Sequence, residues 1–341
     1  MNAYNRKKFN EILFILPPDI KNMIFSLSED VKDSIREIRL RTGCPLVAVN
    51  GKGSAFINSN GRLTYIYSPT LPTVSEDEMS ETVKRICGYS VYSHEDEINS
   101  GYVTVSGGHR IGIFGTAVTE KGKILSVRNI NSLNLRISRE IFGCADEIIK
   151  KLYYAKLPNI IIAGPPMCGK TTVLRDLIRQ ISSGNTGAYF KCAVLDERNE
   201  IACCQNGVSC CELGYNTDIL SGYLKETAVE IAVRSLSPDI LFCDETVTEI
   251  QSEAILNGIM CGVKFAVTAH CNSLADIFMR KPLKMLAESG LFDYAVLLGT
   301  NENTGKIIKI INIKGNGDEN GRSDGFGTSV SFDRDFLRKA N

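Results

Sequence analysis

Gly164-Pro-Pro-Met-Cys-Gly-Lys-Thr171 has the spacing GxxxxGK followed by Ser or Thr that is typical of a phosphate-binding loop. An apolar stretch at residues 159–163 precedes it, and a stretch of helical character at residues 172–182 follows it. This order matches the strand–loop–helix unit that such a loop requires, whereas the alternative is an ordinary glycine-rich turn. The residues predicted to bind a phosphate-bearing ligand are Gly164, Pro165, Pro166, Met167, Cys168, Gly169, Lys170, Thr171 and Thr172.

The fixed positions of this loop each have a chemical role. Main-chain N–H groups surround a β-phosphate, and Gly169 lets the chain turn into the helix, whose N-terminus adds its dipole. Lys170 brings a positive charge to the β- and γ-phosphates, and the Thr171 hydroxyl binds Mg²⁺. The loop therefore predicts that the chain binds ATP together with Mg²⁺.

A second acidic group is expected at the end of a neighbouring strand, where it positions the metal ion. Residues 239–245 (DILFCDE) contain an apolar run that leads directly into two carboxylates. Asp244 is expected at the carboxyl end of this strand, the edge where ligands bind in open α/β sheets. Thr171 and Asp244 are therefore the predicted metal residues. Glu245 is predicted to polarise the attacking water, and the alternative is a solvent-facing carboxylate.

Two further predicted strands end in chemically active groups. Residues 265–268 lead to His270, which is predicted to sense a γ-phosphate or to hold the Asp244–Glu245 pair; the alternative is a hydrogen-bonded structural histidine. The strand ending at Leu195 is followed by the charged residues Asp196, Glu197, Arg198 and Glu200. Three carboxylates and an arginine at a ligand edge indicate catalysis, and a salt-bridged, solvated loop is the alternative.

The second part of the chain has the pattern of an α/β domain. Fully apolar stretches alternate with helices, at residues 159–163, 193–195, 240–243 and 265–268. Such strands are buried on both faces, as in a parallel sheet. A final strand pair is predicted at residues 294–298 and 307–313. We expect a P-loop NTPase core at residues 151–315 and a flexible tail, rich in Gly, Asp, Asn and Ser, at residues 316–341.

Residues 1–150 are predicted to form a smaller α+β domain. A helix is expected at residues 76–87, with Ser75 as N-cap and Glu78 closing a capping box. An amphipathic helix is expected to end near Pro17. Strands are predicted at residues 46–49, 102–106, 110–118 and 133–137.

Composition excludes several classes of protein. The chain has 341 residues, 43% of them hydrophobic, and 39 basic residues balance 39 acidic ones, so no nucleic-acid-binding surface is predicted from global charge. The longest apolar runs are too short for a transmembrane helix. The run at residues 12–16 is followed by Pro17 and Pro18 instead of a cleavage site, which argues against a signal peptide. We therefore expect a cytoplasmic protein.

The twelve cysteines are expected to be reduced and mostly buried, as is usual in a reducing compartment. One group stands out in the sequence, Cys203, Cys204, Cys210 and Cys211. Its adjacent pairs lack the CxxC spacing of a zinc site, so structural thiols are predicted, with zinc or redox chemistry as the alternative.

Four stretches carry a family resemblance: GPPMCGKTT (164–172), LDERNEIA (195–202), RSLSPDILFCDE (234–245) and TAH (268–270). In this order they resemble the Walker A, Asp box, Walker B and His box motifs of the secretion-type ATPases of type II and type IV systems. The stretches EIRLRTGCPL, SGGHRIGIFGTAV, LGYNTDIL and RKPLKMLAESGLFDYAVLL are similar to a sporulation member of that superfamily from endospore-forming bacteria. The resemblance covers roughly residues 30–315.

The resemblance implies roles for individual residues. Lys170 and Thr171 would hold phosphate and Mg²⁺, Asp244 and Glu245 would form Walker B, and His270 would be the His box. The Asp box would consist of Asp196, Glu197 and Glu200, with Glu197 as its catalytic carboxylate. Interface arginines of such enzymes stabilise transition-state charge. The candidates are Arg110, Arg136, Arg139 and Arg198.

The resemblance also implies an assembly and a place in the cell. Members of this superfamily are homo-oligomers, typically hexameric rings, in which an N-terminal domain closes on the nucleotide held by a RecA-like domain. The sporulation member would act in the mother-cell cytoplasm, docked peripherally on membrane-embedded channel proteins that connect mother cell and forespore. No nucleic-acid partner is implied.

The chain departs from the family pattern at two points. Met167 stands where the family usually has glycine, and if this position has a positive φ, methionine costs about 1 kcal/mol. Thr246 and Val247 follow Glu245, where the family usually has Ile-Gly. Because both carboxylates are retained, the second departure concerns the geometry of the loop.

Three other functions fit parts of the pattern. A DNA-directed RecA-like or AAA+ ATPase would need a basic, aromatic groove, against which the neutral charge and the absence of tryptophan count. A non-catalytic scaffold would use ATP for assembly alone, a reading that Met167 favours. A small-molecule kinase would need a lid with clustered arginines, which the sequence does not show after the core strands.

Overall fold

The computed structural model describes residues 3–154, 156–205, 207–246 and 248–314. The chain divides into two compact units between Glu140 and Ile141. Each unit has its own seven-stranded sheet, which confirms the mixed α/β architecture. The division precedes the boundary predicted at residue 150, because Ala145 and Ile148 pack in the core of the second unit. The predicted tail at residues 316–341 lies outside the described residues.

The first unit is built on an antiparallel sheet with the strand order β4-β3-β2-β1-β7-β6-β5. Its strands are β1 (Glu37–Arg41), β2 (Val47–Asn50), β3 (Gly53–Ile57), β4 (Leu63–Thr64), β5 (Tyr102–Val105), β6 (His109–Glu120) and β7 (Lys123–Arg136). Its helices are α1 (Ala3–Leu13), α2 (Pro18–Phe25), α3 (Glu29–Ser34), α4 (Glu76–Ile86) and α5 (Glu95–Asn99). The capping box of α4, formed by Ser75 and Glu78, is confirmed.

One face of this sheet lies on the hydrophobic core. Alternate residues of the adjacent strands β1, β7 and β6 are buried, namely Ile38, Leu40, Ile111, Ile113, Leu133 and Leu135. The first two helices cover them with Phe9, Ile12, Leu16, Ile20 and Ile24. The alternation is what an antiparallel sheet with a single buried face requires. The sequence predicted β6 at residues 110–118 and the end of β7 at residues 133–137, whereas β1 was not predicted.

His109 is a fully buried histidine at the start of β6. Its Nδ1 accepts the main-chain N–H of Ser138 at 3.0 Å, so Nε2 carries the proton and donates to the carbonyl oxygen of Lys8 at 3.0 Å. The nearby ammonium of Lys8 is paired with Glu140 at 3.0 Å. Burial, reinforced by the charge of Lys8, lowers the pKa of His109 to about 4. The folded protein therefore holds this ring neutral.

The first unit is expected to lose stability as the pH falls from 7.5 to 5. The unfolded histidine takes up a proton near its ordinary pKa of about 6.5, whereas folded His109 resists protonation until about pH 4. The stabilisation is thus complete above pH 6.5, and its loss at pH 5 is about 2 kcal/mol. Urea unfolding followed by circular dichroism at both pH values would measure it. His109→Gln should remove this part of the pH dependence, whereas His94→Gln, at a half-buried site, should not.

The second unit is built on a sheet with the strand order β10-β9-β11-β12-β8-β13-β14. Its strands are β8 (Ile160–Gly164), β9 (Cys192–Asp196), β10 (Thr217–Ser221), β11 (Ile240–Cys243), β12 (Lys264–His270), β13 (Tyr294–Leu298) and β14 (Ile307–Asn312). All neighbours are parallel except the final pair. Its helices are α6 (Asp146–Ile148), continued by a π-helical turn (Ile149–Tyr153), α7 (Lys170–Ser182), α8 (Lys225–Ser235), α9 (Glu249–Met260), α10 (Ala275–Met279) and α11 (Lys281–Glu288).

The strands of the second unit are buried on both faces. In β8, Ile160 and Ile162 belong to one core cluster, whereas Ile161 and Ala163 belong to the cluster on the other face. The continuous apolar stretches of the sequence predicted this arrangement correctly. Because the strands are parallel, the carboxyl ends of β8, β9, β11 and β12 meet at one edge of the sheet. This edge positions the residues described next.

The cysteines form no disulfide bond among the described residues. Burial raises the pKa of Cys192 and Cys243 to about 12, which makes these thiols inert. Cys44 in the first unit and Cys261 in the second are exposed. The described residues contain no group of three or more His, Cys, Asp and Glu side chains placed to hold a metal ion, and this includes the cysteines at 203–211. None of the described helices has the length and apolarity that crossing a bilayer requires.

Candidate functional site

The loop between β8 and α7 has the geometry of a phosphate-binding loop. Gly169 adopts a left-handed conformation with φ of 92°, from which the chain enters α7 at Lys170. Gly164 accepts no side chain, because a Cβ there would overlap the sulfur of Cys168. The first-turn N–H groups of α7 have no partner within the helix, so they are available to an anion. Of the other predicted loop residues, Cys168 is buried, Pro165 and Thr172 are half-buried, and Pro166 and Met167 are exposed.

Met167 has φ of 63° and a side chain that is 95% exposed. A left-handed conformation is unfavourable for a residue with a Cβ. The condition on which the cost of methionine depends, a positive φ at this position, is met. The departure from glycine therefore carries a local conformational cost in the phosphate loop itself.

Met167→Gly is expected to stabilise the second unit by about 1 kcal/mol, because it removes the strain and gives up almost no contact. Thermal unfolding would report this as a rise of about 2–4 °C in the melting temperature of that unit. Met167→Ala is the matched control, since it removes the same exposed side chain but keeps the Cβ. A rise of equal size in both variants would contradict the conformational explanation.

Lys170 is buried at the centre of the loop. Its Nζ donates to the carbonyl oxygens of Gly164 at 3.0 Å and Pro165 at 2.9 Å, and to Nδ1 of His270 at 2.9 Å. The third contact fixes the tautomer of the histidine, because an ammonium only donates and Nδ1 must accept. Nε2 of His270 therefore carries the proton, which it donates to Oε1 of Glu245.

Asp244 lies beside the helix that follows the loop. Its Oδ2 accepts the hydroxyl proton of Thr171 at 2.8 Å, and its Oδ1 accepts that of Thr268. The hydroxyl of Thr171 and the carboxylate of Asp244 thus meet, although β12 lies between β8 and β11, the strands that precede these two residues. Hydroxyl and carboxylate oxygens are ligands that Mg²⁺ prefers, so this pair fits the metal predicted from the sequence.

Glu245 is fixed through both its main chain and its side chain. It has a left-handed φ of 44°, and its N–H donates to Oγ1 of Thr268 at 2.8 Å. Its Oε1 accepts the proton of His270 Nε2. Its Oε2 accepts a hydrogen bond from Nη1 of Arg198 at 3.1 Å. Residues from β12 and from the loop after β9 therefore converge on this carboxylate. The predicted association of His270 with the acidic pair is present in the structure.

The order of the strands explains this convergence. β12 lies between β8, which leads into the phosphate loop, and β11, which leads to the two carboxylates. The two polar residues at its carboxyl end, Thr268 and His270, therefore reach both neighbours. His270 contacts Lys170 on one side and Glu245 on the other.

The acidic loop after β9 contains residues of different kinds. Asp196 is buried, and its carboxylate accepts the N–H groups of Glu200 at 2.8 Å, Ile201 at 3.0 Å and Ala202 at 2.8 Å. It holds the loop together. Glu197 is half-buried, with Oε2 4.0 Å from Nζ of Lys225, and Glu200 is exposed. A small cleft is lined by Leu195, Asp196, Glu197, Arg198, Glu200, Lys225, Asp244 and Glu245.

The candidate arginines differ in what they contact. Arg139 donates to the main-chain carbonyls of residues 32, 33 and 35, and burial lowers its pKa. Its donors thus stabilise the end of α3. The guanidinium of Arg110 lies over the ring of Tyr102, 4.2 Å from the centroid. Arg136 is exposed and is the cross-strand partner of Arg110, whereas Arg198 donates to the carboxylate of Glu245.

Two polar residues of the site had not been singled out from the sequence. Thr268 belongs to the stretch TAH, but the prediction named only the histidine of that stretch. Lys225 begins α8, outside the quoted motif stretches, and its Nζ donates to the carbonyl oxygen of Glu245 at 2.5 Å. Nothing in the local sequence pattern indicates that contact.

The second unit has a phosphate loop at the carboxyl edge of a parallel sheet, next to a hydrogen-bonded threonine–aspartate pair. These features define a P-loop protein of the mixed α/β class. The sequence of the chain is also similar to that of a known family over nearly its whole length. The chain belongs to the family described as Sporulation stage III, protein AA, whose model matches residues 5–317. The resemblance to a sporulation protein is thereby confirmed.

Individual proteins are also similar in sequence to this chain. Stage III sporulation protein AA of Bacillus subtilis (strain 168) is 32% identical over 308 residues, which cover 90% of this chain and 96% of that protein. The uncharacterized protein ycf45 of Porphyra purpurea is 29% identical over 203 residues, 58% of this chain and 34% of the relative.

Several solved structures of ATPases are similar in part. The ATPase DotB of Yersinia pseudotuberculosis matches with a TM-score of 0.48 and 14% identity, covering 82% of this chain and 76% of that one. The pilus retraction motor PilT with bound ADP matches with a TM-score of 0.45 and 15% identity, covering 80% and 77%.

Proposed function

We propose that the second unit binds ATP with Mg²⁺ and hydrolyses it to ADP and phosphate. The observation that carries the proposal is the hydrogen bond between Thr171 and Asp244, at 2.8 Å, beneath a phosphate loop with a buried lysine. The two groups that would share a metal ion come from the first turn of α7 and from the loop after β11, and they meet only through the fold. An ordinary glycine-rich turn would have no need of this pairing.

In this proposal each residue has a stated role. Lys170 and the N–H groups at the start of α7 bind the phosphates, and Thr171 and Asp244 hold Mg²⁺, whose chemistry is to neutralise charge on the phosphate oxygens. Glu245 accepts a proton from the attacking water. His270 orients Glu245 through its Nε2 proton, and Glu197 and Arg198 border the same cleft.

We further propose that hydrolysis serves a motor of the secretion type. The chain would form a homo-oligomer, with a hexamer as the expected state, around RecA-like units. The sporulation name of the family and of its Bacillus subtilis relative supports a role in sporulation. The partners would be membrane-embedded channel proteins, on which the chain docks peripherally from the mother-cell cytoplasm.

The test is phosphate release from Mg·ATP by the purified protein, with and without EDTA, followed across a size-exclusion peak. We expect Mg²⁺-dependent turnover that follows the protein peak and a larger species in ATP than in ADP, measured by light scattering. The assay is repeated with double-stranded DNA and with anionic phospholipid vesicles. Stimulation by DNA alone would favour a DNA-directed ATPase instead.

A second candidate function is an ATP-dependent scaffold without turnover. The observation that favours it is the carboxylate of Glu245, both of whose oxygens are occupied by His270 and Arg198. A scaffold would bind ATP and assemble, yet release no phosphate under any of these conditions. Glu245→Gln would then leave its assembly unchanged.

A further inference from the structure

Lys225 occupies a position that is electrostatically unfavourable. It is the first residue of α8, where the helix dipole presents its positive end, and it is only 7% exposed. A cation near a helix N-terminus is destabilising, and burial of a charge adds to the cost. The groups that contact the ammonium must therefore offset the cost of its burial beside the helix N-terminus. The identity of these groups indicates the role of Lys225.

Both partners of the ammonium belong to the candidate site. Nζ donates to the main-chain carbonyl oxygen of Glu245 at 2.5 Å, and it lies 4.0 Å from Oε2 of Glu197. Lys225 thus faces the cleft that those residues line. Its closest contact is with the main chain of the proposed base and not with a carboxylate.

The main-chain contact matters because Glu245 is in a strained conformation. Its φ of 44° lies in the left-handed region, which is costly for a residue with a Cβ and persists only when surrounding contacts enforce it. Thr268 holds the N–H of Glu245, and Lys225 holds its carbonyl oxygen. The two residues, from β12 and α8, fix the peptide groups on either side of the Cα.

We propose that Lys225 is a positioning residue for hydrolysis, which keeps Glu245 in the left-handed conformation from which its carboxylate meets His270 and the attacking water. The inference rests on the proposed ATPase function. Lys225 acts through Glu245. It contributes no proton and is not a phosphate ligand, so its loss should affect turnover and leave nucleotide binding in place.

The variant Lys225→Met keeps the length of the side chain and removes its donors and charge. Its matched control is Lys191→Met, because Lys191 also donates to the carbonyl oxygen of a left-handed residue, Ser237 with φ of 46°, at the opposite edge of the sheet. We expect kcat to fall roughly 100-fold in Lys225→Met, as for a misplaced catalytic group, with KM changed less than about threefold. Lys191→Met should match the wild type.

Two further measurements separate positioning from a general structural role. Hydrogen–deuterium exchange of the peptide around residue 245, without nucleotide, should increase in Lys225→Met and not in Lys191→Met. Lys225→Arg, which keeps a charged donor, should recover part of kcat. Combined with Glu245→Gln, Lys225→Met should cause no additional loss, since the two residues act as a unit.

The outcomes distinguish the inference from the function on which it rests. If the wild type turns over ATP and Lys225→Met is equally active, or is no slower than Lys191→Met, the positioning role is overturned and the ATPase stands. A parallel loss of nucleotide affinity would also overturn it, because Lys225 would then bind the ligand. If the wild type shows no turnover, both the function and the inference fail.

Discussion

Lys170→Ala is expected to weaken ATP binding by roughly 100-fold, because hydrogen bonds from an ammonium to phosphate oxygens are charge-assisted. The residue is buried in the loop with its ammonium between Gly164, Pro165 and His270, so little rearrangement is needed to meet a phosphate. Titration with a fluorescent ATP analogue measures the affinity directly. Turnover should fall with it, to the background of the preparation.

The alanine variant also leaves the carbonyl oxygens of Gly164 and Pro165 without their hydrogen-bond donor. This loss destabilises the loop independently of phosphate binding. Lys170→Gln separates the two effects, since its amide can still donate but carries no charge. It should bind ATP as weakly as the alanine variant while retaining more thermal stability. Lys284→Ala, at an exposed lysine 3.6 Å from Glu288 on α11, is the surface control. An affinity within threefold of the wild type in both Lys170 variants would contradict the phosphate role.

Glu245→Gln is expected to lower ATP turnover by a factor on the order of 10²–10⁴, the usual contribution of a general base. Glutamine has the same shape, and its amide oxygen can still accept a hydrogen bond from His270 or Arg198, but it does not take up the proton of the attacking water. Nucleotide affinity should be retained. Phosphate release and the fluorescent titration, run on the same preparation, measure the two quantities.

The matched control for this change is Glu230→Gln, in an exposed pair with Arg234 on α8 at 2.7 Å. It should leave both turnover and affinity unchanged. Turnover in Glu245→Gln that stays close to the wild-type value would mean that Glu245 is not the base. Glu197, the half-buried carboxylate of the same cleft, would then be the next candidate.

The sequence predicted the strands that lead to the site, β8, β11 and β12, more reliably than β10 and β7. β8, β11 and β12 are short apolar runs followed by polar residues, a pattern typical of strands that are buried on both faces. β10 was missed, because Thr217–Ser221 has two adjacent apolar residues flanked by polar ones, a pattern with no period of two, and only Leu220 is buried. β7 was predicted only over its buried end, since its first half is largely exposed and has no hydrophobic period.

At the site, the residues of the phosphate loop could be predicted because their spacing along the chain is fixed, and Asp244 and His270 could be predicted because each follows an apolar strand. The role of Asp196 could not, because a carboxylate that holds a loop and one that serves catalysis look the same in sequence. Its three main-chain donors are evident only in the folded loop. Lys225 was missed for a related reason, since the carbonyl oxygen that it meets belongs to a residue on another element.

The distribution of the thiols offers a direct way to observe movement between the two units. Cys44 and Cys261 are exposed, one in each unit, whereas burial raises the pKa of Cys144, Cys192, Cys243 and Cys271 and suppresses their reaction with maleimides. With the half-buried Cys203, Cys204 and Cys210 replaced by serine, a donor and an acceptor fluorophore would attach mainly at these two natural positions. Energy transfer between the dyes would then report in real time whether ATP draws the two halves of the chain together.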